Sequence, residues 1–239
     1  MKKAIPTLRW VLVISIPFFL LLSNLYLFFS PSFPVPRDPF GTGILSYIDY
    51  EYSKGSWPLP PRYDDQERRE VAKAVLYYLR SPEEISYLGE LADEDGPLFN
   101  ERELVHLVDV KVLARRAFLL HGVLGGLIVG AAVILFFHPE GRKALPGSIL
   151  QGSLLTFLLF GLVGLFAAFG FDTFFVGFHR TFFAGDSWLF NRSDTLIQLF
   201  PLPFWFDAAI TWVGLTLGEA AILGVGAYLW GKSKLPFRP

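Results

Sequence analysis

"AFLLHGVLGGLIVGAAVILFF", residues 117–137, is the stretch on which the fold turns. It contains no Asp, Glu, Lys or Arg, and its one ionisable side chain is His121. At about 1.5 Å of rise per helical residue, a run of this length crosses the roughly 30 Å of hydrocarbon in a bilayer. A helix on the surface of a globular domain would instead carry polar residues along one face.

Working outward, Arg9–Phe29, Gly147–Gly170 and Trp205–Trp230 are similarly apolar runs, in which Arg9, Asp207 and Glu219 are the only Asp, Glu, Lys or Arg residues. The chain has 239 residues, of which 52% are hydrophobic and 18% charged, with a net charge of −1. These features predict an all-α integral membrane protein, a single membrane domain of four transmembrane helices with an extracellular cap formed by two loops. So little net charge gives no reason to invoke nucleic acid. The absence of Cys removes disulfides, thiol nucleophiles and thiolate metal sites. There is no internal repeat or pair of interrupted spans to suggest transport.

Basic residues set the expected orientation. Lys2, Lys3 and Arg9 precede or open span one, Arg142 and Lys143 lie in the 138–146 connection, and Lys232, Lys234 and Arg238 follow span four. By the positive-inside rule both termini and that connection are cytoplasmic. The first span is too long for a signal peptide and lacks an A-x-A-like cleavage site, so it is expected to remain as an anchor. Residues 30–116 then form an outer cap segment and 171–204 a second outer loop. Arg115 and Arg116 stand just outside span two, where lipid phosphates or an acidic group on a bound molecule would suit them and snorkelling is the blander reading.

In the cap segment, "PSFPVPRDPFG" (31–41) and "SWPLPPRYDD" (56–65) are proline-rich and predicted to be extended. "DDQERREVAKAVLYYLRS" (64–81) predicts a short amphipathic helix, with Val71, Val75, Tyr78 and Leu79 on one face. "NERELVHLVDVKVLARR" (100–116) opens with Asn100 and Glu103 in a capping-box arrangement and runs unbroken into span two. On that helix His106 and Asp109 share a face, so the carboxylate could hold the imidazole in one tautomer. For a lone H-x-x-D an exposed structural pair is the plainer reading. A second histidine changes the balance, because "FHRTFFAGDSW" (178–188) sets His179 a similar short distance beyond span three.

Other polar residues have blander readings. Glu219, inside span four, is expected to hydrogen-bond between helices or to face a small polar cavity rather than to pair with His121, with Gly214, Gly218, Ala221, Gly224 and Gly226 permitting close packing. His138 is read as an interfacial residue. Asp186 is read as a turn residue, and Asp194 and Asp207 as helix caps.

The second loop continues as "FHRTFFAGDSWLFNRSDTLIQLFPLPFWFD" (178–207). Its pattern is F-H-x-x-x-F, then W, then D-x-L-I-x-L-F-P-x-x-F-W-x-D. The residues carrying it are Phe178, His179, Phe183, Trp188, Asp194, Leu196, Ile197, Leu199, Phe200, Pro201, Phe204, Trp205 and Asp207. Together with the upstream His106 and Asp109, this pattern resembles the bacterial lipoprotein intramolecular transacylase family. Residues 31–98 carry none of it.

The resemblance implies a multi-pass protein of the bacterial plasma membrane whose partners are membrane lipid and a lipoprotein N-terminus. The N-terminal cysteine of that substrate bears a thioether-linked diacylglyceryl group. The family moves the sn-2 acyl chain onto the α-amino group of the same cysteine, giving the lyso-form, with no cofactor and no metal. This is ester aminolysis within one bound molecule, which calls for proton transfer to and from positioned groups. With no Cys and no G-x-S-x-G, an acyl-enzyme has no obvious nucleophile. The expected catalytic residues are His179 as principal base and His106 as second acid/base or oxyanion donor, supported by Asp109 and Arg180. Phe182, Phe183, Trp188 and Arg116 are expected substrate contacts. Two rival readings stand beside this one. A metal-dependent membrane hydrolase could use two histidines and a carboxylate as its ligand set, but no H-E-x-x-H or other tight ligand motif is present. A non-enzymatic scaffold or sensor would tolerate histidine substitutions but not changes in residues 64–81.

Overall fold

The structure, a computed structural model, describes residues 4–28 and 63–233. Stretch 31–41, most of 56–65 and the basic residues Lys2, Lys3, Lys234 and Arg238 lie outside the described residues. The elements run α1 (Ala4–Phe28), α2 (Asp65–Arg80), α3 (Ser86–Gly89), β1 (Ala92–Asp93), β2 (Gly96–Pro97), α4 (Glu101–Phe137), α5 (Pro139–Phe169), α6 (Phe171–Phe182), α7 (Thr195–Leu199) and α8 (Leu202–Lys232). Four of them, α1, α4, α5 and α8, are long and apolar enough to cross a membrane. The protein is thus an all-α integral membrane protein. Helix α4 has 37 residues. At 1.5 Å each that is about 55 Å, well beyond the hydrocarbon thickness. Its charged first part, residues 101–116, therefore stands outside the span.

Two expected loops are largely helical. The 138–146 connection is helix from Pro139 onward. A proline suits the first helical position because the missing N–H has no intrahelical partner there. His138 caps this helix, its Nδ1 accepting the Glu140 N–H at 3.3 Å. The 171–204 stretch contains α6 and α7, with Gly170 separating α6 from α5. The aromatic sequence flows across that glycine without a polar break, which hid the boundary.

The chain divides into two compact units. One takes in Met1–Asn24, Phe118–Phe166 and Ile210–Pro239. Its core packs Leu12 and Ile16 of α1 with Ala131 and Leu135 of α4 and Leu145 of α5. Glycines set the helix spacing: a Cβ on Gly152 would lie 2.9 Å from Ile16 Cδ1, one on Gly164 2.8 Å from Val213 Cγ1, and one on Gly224 3.1 Å from Ser153 Cβ. Gly214, Gly218 and Gly226 instead have open space beside them. Of the glycines singled out in the sequence, only Gly224 meets a neighbouring helix. Introducing leucine at Gly152 is expected to cost about 1–3 kcal/mol by overpacking against Ile16. The check is the thermal midpoint in detergent, which should fall by several degrees; an unchanged midpoint would mean that α1 and α5 are not spaced by this contact.

Within the same unit, Asn24 Nδ2 of α1 donates to Glu219 Oε2 at 2.9 Å and to Thr216 Oγ1 at 3.2 Å on α8. Glu219 is therefore bonded between helices. His121 sits elsewhere, hydrogen-bonded to Ser23 Oγ at 2.9 Å and stacked on Phe19.

The other unit comprises Leu25–Ala117 and Ala167–Ala209. In α2, Asp64 Oδ1 accepts the N–H groups of Gln66 and Glu67, and Glu67 Oε2 accepts the Asp64 N–H at 3.0 Å. This reciprocal capping box fixes the helix start. Val71, Val75, Tyr78 and Leu79 are all buried, so the expected face is the one that packs. The exit of α2 is held by α4: Lys111 Nζ donates to Glu83 O at 2.5 Å, and Arg115 Nη2 to Ser81 O at 3.2 Å. Arg115 thus anchors the cap segment. Strands β1 and β2 form a two-residue antiparallel hairpin whose turn leads into Gly96 at φ +121°, a conformation that suits glycine.

Candidate active site

The start of α4 is fixed by its own capping box, with Asn100 Oδ1 accepting the Glu103 N–H at 3.1 Å and Glu103 Oε2 accepting the Asn100 N–H at 2.9 Å. One turn later His106 lies on the buried face of the helix. Helix α6 supplies the second imidazole. Phe175, His179 and Phe183 follow at four-residue spacing and pack ring on ring, with centroid distances of 4.2 Å and 5.4 Å.

The histidines come from separate segments and meet. Their ring centroids are 5.9 Å apart with planes inclined by 25°. Around them, Trp188 packs on His179 at 4.9 Å, while Phe183 and Phe190 pack on His106 at 4.9 Å and 5.3 Å. Trp188 is directed inward by the turn at Gly185, which has φ +69° and whose carbonyl accepts the Trp188 Nε1–H. The pocket is mostly aromatic, and only 8% of His106 and 9% of His179 is exposed.

Hydrogen bonding distinguishes the two rings. His179 Nδ1 lies 2.8 Å from Phe175 O. A carbonyl oxygen can only accept, so Nδ1 carries a proton and the neutral ring has its lone pair on Nε2. His106 Nδ1 is buried and has no hydrogen-bond partner among the described residues. Burial pushes the His106 pKa down to about 4, with proximity to His179 adding to the effect. Burial also lowers the His179 pKa, opposed by the bond to Phe175 O. Both rings are therefore uncharged at neutral pH and able to accept a proton.

The remaining expected residues are dispersed. Asp109 accepts a hydrogen bond from Ser187 Oγ at 3.3 Å and makes none to His106 among the described residues. The expected orientation of His106 by Asp109 is thus absent, because the carboxylate turns toward the 185–188 turn instead. Phe183 and Trp188 wall the histidines, whereas Phe182 is exposed and pairs with Phe178 at 4.9 Å. Arg116 and Arg180 are exposed. Asp186 lies in the turn, its carbonyl accepting the Leu189 N–H. Asp194 occupies the N-cap position of α7, but its carboxylate reaches back to the Asn191 N–H at 2.7 Å and caps nothing ahead. Asp207 falls beyond the first turn of α8, which begins at Leu202, so the capping reading of both aspartates is corrected. Phe175 and Phe190 were not singled out in the sequence. Of these only Phe175 had a usable signal, its position one turn before His179. Among the described residues no group of three or more His, Cys, Asp or Glu is placed to hold a metal ion, so the ligand set required by the hydrolase reading is not formed there.

Comparison with known proteins adds four findings. The profile of the lipoprotein intramolecular transacylase family, Lit, matches residues 40–205. An uncharacterised protein of Aquifex aeolicus (strain VF5) is 29% identical over 167 residues, covering 69% of this chain and 73% of that protein. Among solved structures, the membrane integral lipoprotein intramolecular transacylase from Bacillus cereus superposes with a TM-score of 0.75 at 21% identity, covering 97% of both chains. A variant of the same Bacillus cereus protein with one histidine replaced by alanine gives a TM-score of 0.69 at 19% identity, over 95% of this chain and 94% of that one. At those identities the structural likeness is one of fold.

Proposed function

Since the chain belongs to the lipoprotein intramolecular transacylase family, we propose that it moves the sn-2 acyl chain of an S-diacylglyceryl-cysteine lipoprotein onto the α-amino group of that cysteine. The observation that carries the chemistry is the meeting of His106 and His179 at 5.9 Å in a buried aromatic pocket. In the first step the α-amine nitrogen attacks the ester carbonyl, an N–C bond forms, and the amine proton passes to His179 Nε2. In the second, the tetrahedral intermediate collapses, the C–O bond to the glyceryl oxygen breaks, and the proton taken up at His179 Nε2 is delivered to that oxygen. The net change is an isomerisation with no loss of mass. An imidazole that starts neutral can accept the amine proton and then give it up, so the pair serves both transfers and no covalent acyl-enzyme is required.

His106, with its unpartnered Nδ1, is the second acid/base or the oxyanion donor. Arg180 holds substrate carbonyls, and Arg116 meets an acidic group on substrate or lipid. Phe182, exposed and paired with Phe178, offers apolar surface to an acyl chain, while Phe183 and Trp188 act mainly by enclosing the histidines. Asp109 acts on the 185–188 turn through Ser187. The active site lies on the outer face of the bacterial plasma membrane with both termini cytoplasmic, the orientation favoured by Arg142, Lys143 and Lys232.

Mass spectrometry of a lipoprotein N-terminal peptide, from a host able to make only the diacylated form, tests this reading. An N-acyl peptide with one remaining glyceryl ester and unchanged mass is expected on expression of the protein. Unchanged diacylglyceryl peptide beside folded protein would bring the scaffold reading forward.

The state of the rings gives a separate check. Burial disfavours the imidazolium, so a lowered pKa keeps each ring neutral as pH falls through the ordinary histidine value of about 6.5. In ¹³C-histidine-labelled protein, with signals assigned from the alanine variants, His106 and His179 are expected to titrate below that value. A midpoint at or above it for either ring would contradict the buried-pair geometry.

A further inference from the structure

Glu103 is 1% exposed, although a carboxylate in a helix-capping box needs no burial; the corresponding Glu67 of α2 lies open to solvent. Enclosing a carboxylate is unfavourable unless its oxygens are satisfied, so burial of this one points to a second partner. One oxygen, Oε2, serves the box through the Asn100 N–H. The other, Oε1, accepts the N–H of Leu196 at 2.7 Å, a bond from α4 to α7 that joins residues 93 positions apart. Asp194 leaves this donor unserved because its carboxylate turns back to Asn191. Next to this bond, the Thr195 hydroxyl donates to Leu98 O, and Tyr63 OH lies 3.3 Å from Thr195 Oγ1.

The same turns of α4 hold the loop at two more points. Arg102 Nη1 donates to Leu189 O at 2.9 Å, and Asp109 accepts from Ser187. Residues 187, 189 and 196 bracket Trp188 and Phe190, the rings that press on His179 and His106. Of the three tethers, that of Glu103 is the most buried, and it begins one helical turn before His106. Resting on the transacylase reading above, we propose that Glu103 is a positioning residue of the reaction, holding the 187–196 segment so that the two imidazoles keep their mutual geometry. It touches neither ring and acts through the Leu196 N–H.

The test is kinetics on full-length enzyme in detergent or bicelles with a synthetic diacylglyceryl-cysteine peptide. Glu103→Gln keeps the size of the side chain but replaces one acceptor oxygen with an amide that cannot accept from the second N–H. It is expected to lose at least about tenfold in kcat with KM held within about twofold, since small misplacements of catalytic groups can cost about a hundredfold. Glu103→Asp keeps the charge but withdraws the oxygens by one methylene, and should lose kcat likewise. Asn100→Ala disturbs the capping box without touching the Leu196 bond and is expected to keep kcat within about twofold of wild type. The His179 titration midpoint should rise toward the ordinary value in Glu103→Gln and stay in place in Asn100→Ala. Wild-type kcat in folded Glu103→Gln or Glu103→Asp would overturn the proposal, as would an equal loss of kcat in Asn100→Ala. Wild-type enzyme run in parallel separates the two levels: failure of wild type to N-acylate contradicts the transacylase reading, whereas normal wild-type turnover beside undiminished Glu103 variants contradicts only the role of Glu103.

Discussion

Replacing His179 with alanine is expected to lower turnover by about 10²–10⁴-fold, the usual contribution of a positioned general base. The size follows from what the ring alone supplies. Its Nδ1 proton is committed to Phe175 O, so Nε2 is the basic atom, and burial keeps it neutral at working pH. The nitrogen base nearest to hand as a substitute is His106, whose ring is 5.9 Å away. The variant must be shown to be folded, because alanine also leaves a void among Phe175, Phe183 and Trp188. A cooperative thermal transition, with a midpoint lowered only as far as such a void explains, beside lost turnover is the expected pair of results; retained turnover would remove His179 from the mechanism.

The second large effect is at His106, where phenylalanine is more informative than alanine. His106 Nδ1 has no hydrogen-bond partner among the described residues, and the ring already packs against Phe183 and Phe190. A phenyl ring therefore costs no hydrogen bond to those residues and fills much of the same space. If His106 were a packing residue only, His106→Phe would be active and at least as stable. The account expects stability near wild type and turnover reduced by about 10²-fold or more. Combining it with His179→Ala should add little to the loss in the more damaged single variant, since groups that act as a unit are strongly non-additive. Independent, multiplying losses would mean that the histidines do not share one proton-transfer path.

The spans were legible because an uninterrupted apolar helix of such length suits little besides a bilayer crossing. The α2 and α4 starts were legible because Asp64–Glu67 and Asn100–Glu103 each place an acceptor three residues ahead of a reciprocating glutamate. The two histidines could be brought to one level from their distance beyond the spans. Their contact depends on α6, which the sequence hides inside a run of phenylalanines. Asp109 illustrates the limit of spacing arguments. A three-residue interval puts it on the His106 face, but side-chain direction is settled by Ser187, which no periodicity locates. Asp194 misleads for the same reason, since its position is that of a cap while its carboxylate faces the preceding turn. Glu103 was legible as a capping residue and illegible as a tether, because Leu196 is distant in sequence and contributes only a backbone N–H.

The most direct measurement is a crossover experiment with purified enzyme. Two synthetic diacylglyceryl-cysteine peptides are mixed, one isotopically labelled in the sn-2 acyl chain and the other in the peptide, and the products are fragmented by mass spectrometry. The account requires each sn-2 chain to appear on the amine of its own peptide, with total mass unchanged and no doubly labelled product. Doubly labelled peptide, N-acylation by the sn-1 chain or release of free fatty acid would contradict intramolecular aminolysis by the histidine pair.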